Sequence, residues 1–248
     1  MPLNLMVTGA DYSASNIGRV IKLTTNRTGL VGEYLFGRNR ATSLVNGVDG
    51  GTIPSVPVAD PTYGDHVASM DASANKYINS GLSDADKITI AVVCAFPASA
   101  YVNRTLAGFG VGKSLNIYSG PSSSFGLATQ ATDATQPACG LPAAPTAPLT
   151  DPRMIVSRVD GPTNFSLNID EYKNGGRTQG SGLVTTVKNR LAEATTKLSF
   201  GSLPSTGSFA LGFDEVAALV WHRYLSDAEV LAMYLEVRTV LATMGKTI

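Results

Sequence analysis

The sequence predicts an all-β protein, two antiparallel sheets packed as a sandwich and closed by one C-terminal α-helix. Three observations carry this. Short apolar runs, alternating or continuous, recur between turn signals along most of the 248 residues. Helical periodicity is almost absent among those runs. Finally, the stretch 213–224 (FDEVAALVWHRY) is apolar on both alternating sets of positions and then passes into a helical pattern at Ser226.

Taken in order, RVIKLTT (19–25) alternates, KITIAVVCAF (87–96) is a continuous buried-type run, and LNIYS (115–119) alternates again. RMIVSRV (153–159) and FSLNI (165–169) are separated by DGPTN, a turn carrying Gly and Pro. EYKNGGR (171–177) holds Asn174-Gly175, a dipeptide that favours the tight turn between antiparallel strands. LVTTV (183–187) and KLSFGSL (197–203) follow. The stretch 136–152 is rich in prolines, which do not sit in central strands, and reads as a long surface loop. In 213–224, Phe213, Ala217, Leu219 and Trp221 fall on one alternating set and Val216, Ala218 and Val220 on the other, so both faces of this strand require cover. Ser226 then fits an N-cap, with Glu229 completing a capping box and Asp227 in the first turn. Val230, Met233, Tyr234, Val237 and Leu241 form one apolar stripe, and Gly245 is a stop signal, which gives a helix at about 226–243.

Composition narrows the function. Hydrophobic content of 44% supports a sizeable core, while charged content of 15% leaves the surface to Ser, Thr, Asn and Gly. Lys plus Arg equals Asp plus Glu at 19 each, with no basic stripe to neutralise phosphates, which argues against nucleic acid as partner. No run approaches the length of a membrane-spanning helix. The opening MPLNLMVTGAD lacks the basic and apolar regions of a signal peptide. Length and continuity of the strand pattern favour one sandwich domain over 29–248, preceded by an arm at 1–28 that would pack against a neighbour. Cys94 sits in an apolar run and Cys139 in the proline-rich stretch; whether they pair is left open.

The last block, a strand containing DEV that runs into LSDAE and a closing helix, resembles the concanavalin A-like jelly-roll group, in particular its laminin-G-like modules. GLVGEYLFGRN and LVNGVDGG (within 29–51) resemble the opening strand and loop of that group. YGDHVASMDASANKYINSGL (63–82) resembles the segment leading to an exposed-edge strand, 82–96 the core strand that follows, and 153–177 the strand and hairpin with its Asn-Gly turn. The resemblance covers roughly 29–243. The segment LMVTGADYSASNIGRV (5–20) resembles short N-terminal segments of bacteriophage tail and virion proteins. These resemblances imply a virion structural protein, tail-associated or a decoration subunit, assembled in the host cytoplasm. Its partners would be other virion subunits, in a homo-oligomer such as a trimer, with a host-surface glycan as further contact.

Chemistry-bearing patterns are sparse. Glycoside hydrolases of this sandwich group carry E-x-D-x-E on one strand, where i, i+2 and i+4 point the same way. Here the pairs are Asp170-Glu171 and Asp214-Glu215, adjacent residues that point to opposite faces. AGFGVGKS (107–114) approaches a phosphate-binding loop, but Ala107 replaces the first Gly and a strand pattern follows, so a hairpin is expected. No nucleophile elbow is present in GPSSSFG or GSLPSTG. His66 and His222 are remote from each other, and His222 is expected to be a hydrogen-bonded structural residue. The N-x-S/T sites at Asn26, Asn103 and Asn164 carry no weight without a secretory route. Relatives of this fold often bind calcium at loop tips; Asp160, Asn164, Asp170 and Asn174 are the candidates, although no compact acidic string supports them and their ordinary role is in turns. Sugar-stacking aromatics would be Tyr101, Tyr118 and Tyr172, beside Asn174 as a polar contact.

The sequence therefore leads to a non-catalytic particle subunit with possible glycan binding. A glycosidase or lyase of the same fold and a free carbohydrate-binding lectin remain the alternatives, and no cofactor is called for.

Overall fold

The computed structural model describes residues 23–248 apart from 38, 49–50, 53–58, 72–75, 97–103, 111–114, 121–122, 132, 134, 142–149, 163–164, 184–188, 194 and 202–211. Along the described chain run β1 (Leu30–Leu35), α1 (Arg40–Ser43), β2 (Val45–Asn46), β3 (Gly51–Thr52), β4 (Thr62–Gly64), β5 (Val67–Met70), β6 (Ile78–Asn79), β7 (Lys87–Ala95) and β8 (Arg104–Gly108). There follow β9 (Leu115–Gly120), β10 (Ser123–Thr129), β11 (Ala138–Gly140), β12 (Arg153–Asp160), β13 (Ser166–Lys173), β14 (Gly176–Leu183), β15 (Ser199–Phe200), β16 (Phe213–Trp221) and α2 (Asp227–Ala242).

Two antiparallel sheets face each other. The larger has the order β14-β13-β12-β7-β16-β5-β4, with β1 also on β16; the smaller has the order β11-β10-β9-β8-β15-β6. The free side of β16 is thus shared: residues 213–215 pair with β5 and residues 217–221 with β1. The changeover coincides with a bulge between Glu215 and Ala217. That bulge changes which residues face where. Strict alternation puts Phe213 with Leu219 and Trp221; instead Phe213 lies in the inter-sheet core with Ala218 and Val220, while Val216 and Ala217 both turn outward. One inserted residue reverses the parity of everything after it.

The inter-sheet core gathers Ile88, Ile90, Val92 and Phe96 around Phe125, Phe165, Phe200 and Phe213. A second core lies on the outer face of the large sheet, where Ala91, Val93, Met154, Val156, Leu219 and Trp221 meet Val230, Met233, Tyr234, Val237 and Leu241 of α2. Leu23 and Leu30 join it, and the Trp221 indole donates to the Asn26 carbonyl at 2.7 Å, so the segment leading into β1 lies along the same face. Thr24 and Thr25 bind the Glu236 carboxylate of α2 by backbone and hydroxyl groups. Residues 1–22 of the arm expected at 1–28 are outside the described residues.

Several expectations are corrected. Residues 23–25 of the first alternating run are not strand, because their backbone is turned toward Glu236 and Glu33 rather than a neighbouring strand. The proline-rich stretch contains β11, a three-residue edge strand fitted between Pro137 and Pro142. An edge position is where flanking prolines do least damage. A short helix, α1, capped by Asn39, precedes β2. Strand β13 runs past Ile169 to Lys173, and its turn to β14 has Asn174 at φ 52° and Gly175 at φ 81°, the left-handed pair the Asn-Gly dipeptide favours. β8 and β9, which flank residues 111–114, pair antiparallel as the expected hairpin requires, while 111–114 themselves lie outside the described residues. At the far margin β11 of one sheet meets β14 of the other so closely that a Cβ on Gly180 would sit 2.1 Å from the Gly140 carbonyl oxygen.

Helix α2 begins with the capping box read from the sequence: the Ser226 side chain accepts from the Glu229 amide, and Glu229 accepts from the Ser226 amide at 2.8 Å. Its first residue is held by charge as well. Arg158, fully buried, donates to Asp170 at 2.8 Å, to Asp227 at 2.7 Å and to the Leu225 carbonyl at 3.0 Å. Arg177 bridges the same two carboxylates. Replacing Arg158 with Met leaves the Asp170 charge buried with half its partners and frees the Leu225 carbonyl. Arg158→Met is expected to lower unfolding free energy by about 3–5 kcal/mol, read from urea titration; an unchanged midpoint would show the network to be ornamental.

Candidate functional site

At the end of the large sheet where β7 finishes and β12 and β16 begin, the outer face is left uncovered by α2. A cleft of about 430 Å³ opens there, lined by Val67, Ala95, Pro152 and Val216 below and by Thr150, Asp151, Asn174, Asp214, Lys246 and Thr247 around its sides. Six separate stretches of the chain line it. Among them, the β13–β14 turn supplies Asn174, the start of β16 supplies Asp214 and Val216, and the segment after α2 folds back to supply 245–247. The return is set by Gly245 at φ 70° and by the Lys246 amide donating to the Leu241 carbonyl at 3.0 Å.

Charge in the cleft is balanced. Asp151 pairs with Lys173 at 3.3 Å. Asp214 accepts a hydrogen bond from the Ser69 hydroxyl at 2.5 Å. Among the described residues the Asn174 amide group and the Lys246 ammonium have no hydrogen-bonding partner. The volume falls within the range of about 300–1,000 Å³ found for small-molecule sites, and the lining is more polar than usual for an apolar ligand.

Of the residues expected from the sequence, Asn174 is at this cleft. Tyr172 is not available to stack on a sugar: β13 continues beneath α2, the residue is buried, and its ring is stacked on Tyr234 with centroids 4.5 Å apart. Tyr118 lies within β9, half-buried, with its ring over Gly126 of the neighbouring strand, where an added Cβ would approach it to 2.4 Å. Tyr101, Asn103 and Asn164 are outside the described residues. Asp170 is corrected as a calcium candidate, since its carboxylate is buried and engaged by Arg158 and Arg177. Asp160 pairs with Lys87 at 2.7 Å. Its strand partner is Ser166, four residues from Asp170, a separation of about 13 Å along the strand. Among the described residues no three His, Cys, Asp or Glu side chains converge as metal ligands do.

The adjacent carboxylates behave as their strand positions require. Asp170 faces outward to Arg158, while Glu171 faces the interior and accepts from Arg153 at 2.8 Å. Asp214 faces the cleft, and Glu215 points inward, fully buried, with neither carboxyl oxygen hydrogen-bonded. The two interior acids stand on β13 and β16, three strand spacings apart, or about 14 Å. The pair is thus not the same-strand i, i+2 arrangement that sets the acid and nucleophile in the glycosidases of this sandwich group. In the cleft, Asp151 is open to solvent and ion-paired with Lys173.

The other reactive side chains are structural. Cys94 and Cys139 are free and buried, and burial, helped by the charge of Asp170, pushes the Cys139 thiol up to about 12. His222 is exposed with Nε2 2.9 Å from the Ser83 carbonyl, and His66 sits in the β4–β5 turn beside Asp65. Sequence reading missed Asp151, Asp214 as a cleft group, and Lys246, since nothing local marks chain segments that meet only through tertiary packing.

Glu215 generates a pH prediction. Burial raises its pKa well above the usual glutamate range, so the folded protein keeps this proton to higher pH than the unfolded chain does. Unfolding above the ordinary glutamate range releases that proton, and stability therefore falls as pH rises through and beyond that range toward the raised folded value. Glu215→Gln is expected to remove a slope of up to about 1.4 kcal/mol per pH unit. Urea midpoints of both proteins at pH 5, 6, 7 and 8 measure it; parallel profiles would mean that Glu215 is ionised in the fold.

No protein-family model matches the chain, and no curated protein matches it in sequence. By fold it is similar to the binding domain of Paraclostridial Mosquitocidal Protein 1, with TM-score 0.57 and 10% identity over 85% of this chain and 52% of that one. It is similar to the Botulinum Neurotoxin serotype G binding domain, with TM-score 0.57 and 12% identity over 82% of this chain and 49% of that one. A second structure, titled Botulinum Neurotoxin Type G Receptor Binding Domain, gives TM-score 0.52 and 14% identity over 81% and 50%. The chain spans about half the length of each of these structures. What it has in common with them is the fold, a two-sheet antiparallel sandwich of the jelly-roll kind.

Proposed function

We propose that this chain is a non-catalytic, lectin-like domain that binds carbohydrate. The observation that carries the reading is architectural: the sandwich has the shape of solved structures named as binding domains and receptor-binding domains. The placement of the acids supports the non-catalytic part, since those nominated by the sequence are engaged by arginines, bonded to Ser69 or sealed in the core. A fold hosts many functions, so the site must carry the rest.

Within that reading, a bacteriophage particle is our proposed setting, with the chain as a tail-associated or decoration subunit in a homo-oligomer. Its support is the likeness of residues 5–20 to virion-protein N-terminal segments.

Purified protein on a glycan array is expected to retain a defined subset of glycans and to release no reducing sugar from them on prolonged incubation. Silence across the array would remove the carbohydrate reading, and turnover lost on substituting one carboxylate would replace it with an enzyme. Co-purification with virions tests the particle setting separately.

A further inference from the structure

We propose that the cleft between the Asn174–Gly175 turn and residues 245–247 holds a neutral monosaccharide unit, its two rims fixed from behind by the Tyr234 hydroxyl. This rests on the carbohydrate reading above and names the place and chemistry of binding.

The ligand class follows from the lining. A pyranose ring has a C–H face and a rim of hydroxyls that each donate and accept. The cleft offers Val67, Pro152 and Val216 to the first. To the second it offers the Asp214 carboxylate as acceptor, the Lys246 ammonium as donor, and the Asn174 amide as both. Among the described residues the Asp214 carboxylate makes one hydrogen bond, to Ser69. Asp151 is matched by Lys173, and Asp214 stands in the same cleft as Lys246, so the site has no excess charge to recruit an acidic sugar. Aromatic stacking plays no part among the described lining residues, which sets the expected affinity for a single sugar low.

The rims are made by segments some seventy residues apart, yet one side chain holds both. Tyr234, buried in α2, accepts a hydrogen bond from the Gly175 amide at 3.0 Å and donates its own proton to the Ile248 carbonyl at 3.1 Å. Asn174 precedes that amide in a left-handed turn, and Lys246 and Thr247 precede that carbonyl. Loss of the hydroxyl removes the tie the two rims share while the ring stack on Tyr172 persists. Tyr234 is thus a positioning residue that does not itself line the cleft. Tyr172 supplies the control, because among the described residues its own buried hydroxyl has no hydrogen-bond partner.

The test uses the full chain and a panel of neutral methyl hexosides with one uronic acid, titrated by NMR. Wild type is expected to bind at least one neutral glycoside, with shifts at Asn174, Asp214 and Lys246. Asn174→Gly, which keeps the left-handed turn, and Asp214→Ala are each expected to weaken binding about tenfold, the loss of roughly one good hydrogen bond. Tyr234→Phe is expected to speed amide exchange at Gly175 and to weaken binding by a similar factor through faster dissociation; Tyr172→Phe changes neither. Binding that survives both Asn174→Gly and Asp214→Ala overturns the cleft assignment while leaving the carbohydrate reading intact, as does array binding without shifts in the cleft. Preference for the uronic acid overturns the neutral class. Unchanged Gly175 exchange in Tyr234→Phe overturns the positioning role whether or not any sugar binds.

Discussion

One strand that is apolar on both faces sets the plan of this molecule. β16 lies inside the large sheet, and neither of its faces tolerates water, since Phe213, Ala218 and Val220 line one core and Val216, Leu219 and Trp221 the other. The inner face is covered by the second sheet, which makes the sandwich. The outer face is covered by α2 and the segment from Leu23 to Leu30. Burial of a large apolar side chain contributes about 1.5–3 kcal/mol, so the five buried residues of α2 outweigh a capping box worth about 1 kcal/mol. The helix forms because the sheet needs a lid, and its cap and charges decide where the lid is set down.

Buried ions decide the register of that docking. The Arg158–Asp170–Arg177–Asp227 network spans β12, β13, β14 and the first turn of α2, while Arg153–Glu171 fixes the interior side of the same strands. Arg190 does the same for a loop, donating to both oxygens of Asp84 at 2.7 and 2.8 Å. Such pairs gain little over a well-packed apolar substitute, but an incorrectly docked helix leaves charges buried and alone, which costs several kcal/mol. A chain with only 15% charged residues places several of them where misplacement is most costly.

The parts legible in the sequence were those with local chemistry. The capping box at Ser226, the two-faced strand and the Asn174-Gly175 turn each follow from residue type and spacing, and Asn174 reached the cleft because its turn did. β14 escaped because GRTQGSGL is polar and glycine-rich, a strand held by its neighbour β13 rather than by its own apolar pattern. β11 escaped between prolines. The facing of Phe213 was misread because a bulge leaves no mark on composition. Tyr172 was misjudged for a related reason: nothing in EYKNGG tells that the strand continues under a helix sixty residues away. Asp151, Asp214 and Lys246 meet only after both sheets and the helix are in place, so no local window contains their relation.

The close approach of Gly140 and Gly180 has a bearing on solubility. Where β11 and β14 abut, the margins of the two sheets seal one another, and no foreign strand has room to dock between them. Two proline-flanked or glycine-rich ribbons, each a poor barrier alone, thereby become a seam. Fibre-like growth by strand addition is left, among the described strands, with β4, the outer side of β1 and the two-residue β6 as points of entry. A bulkier residue at position 180 would prise the seam apart and convert a protected flank into a further sticky edge.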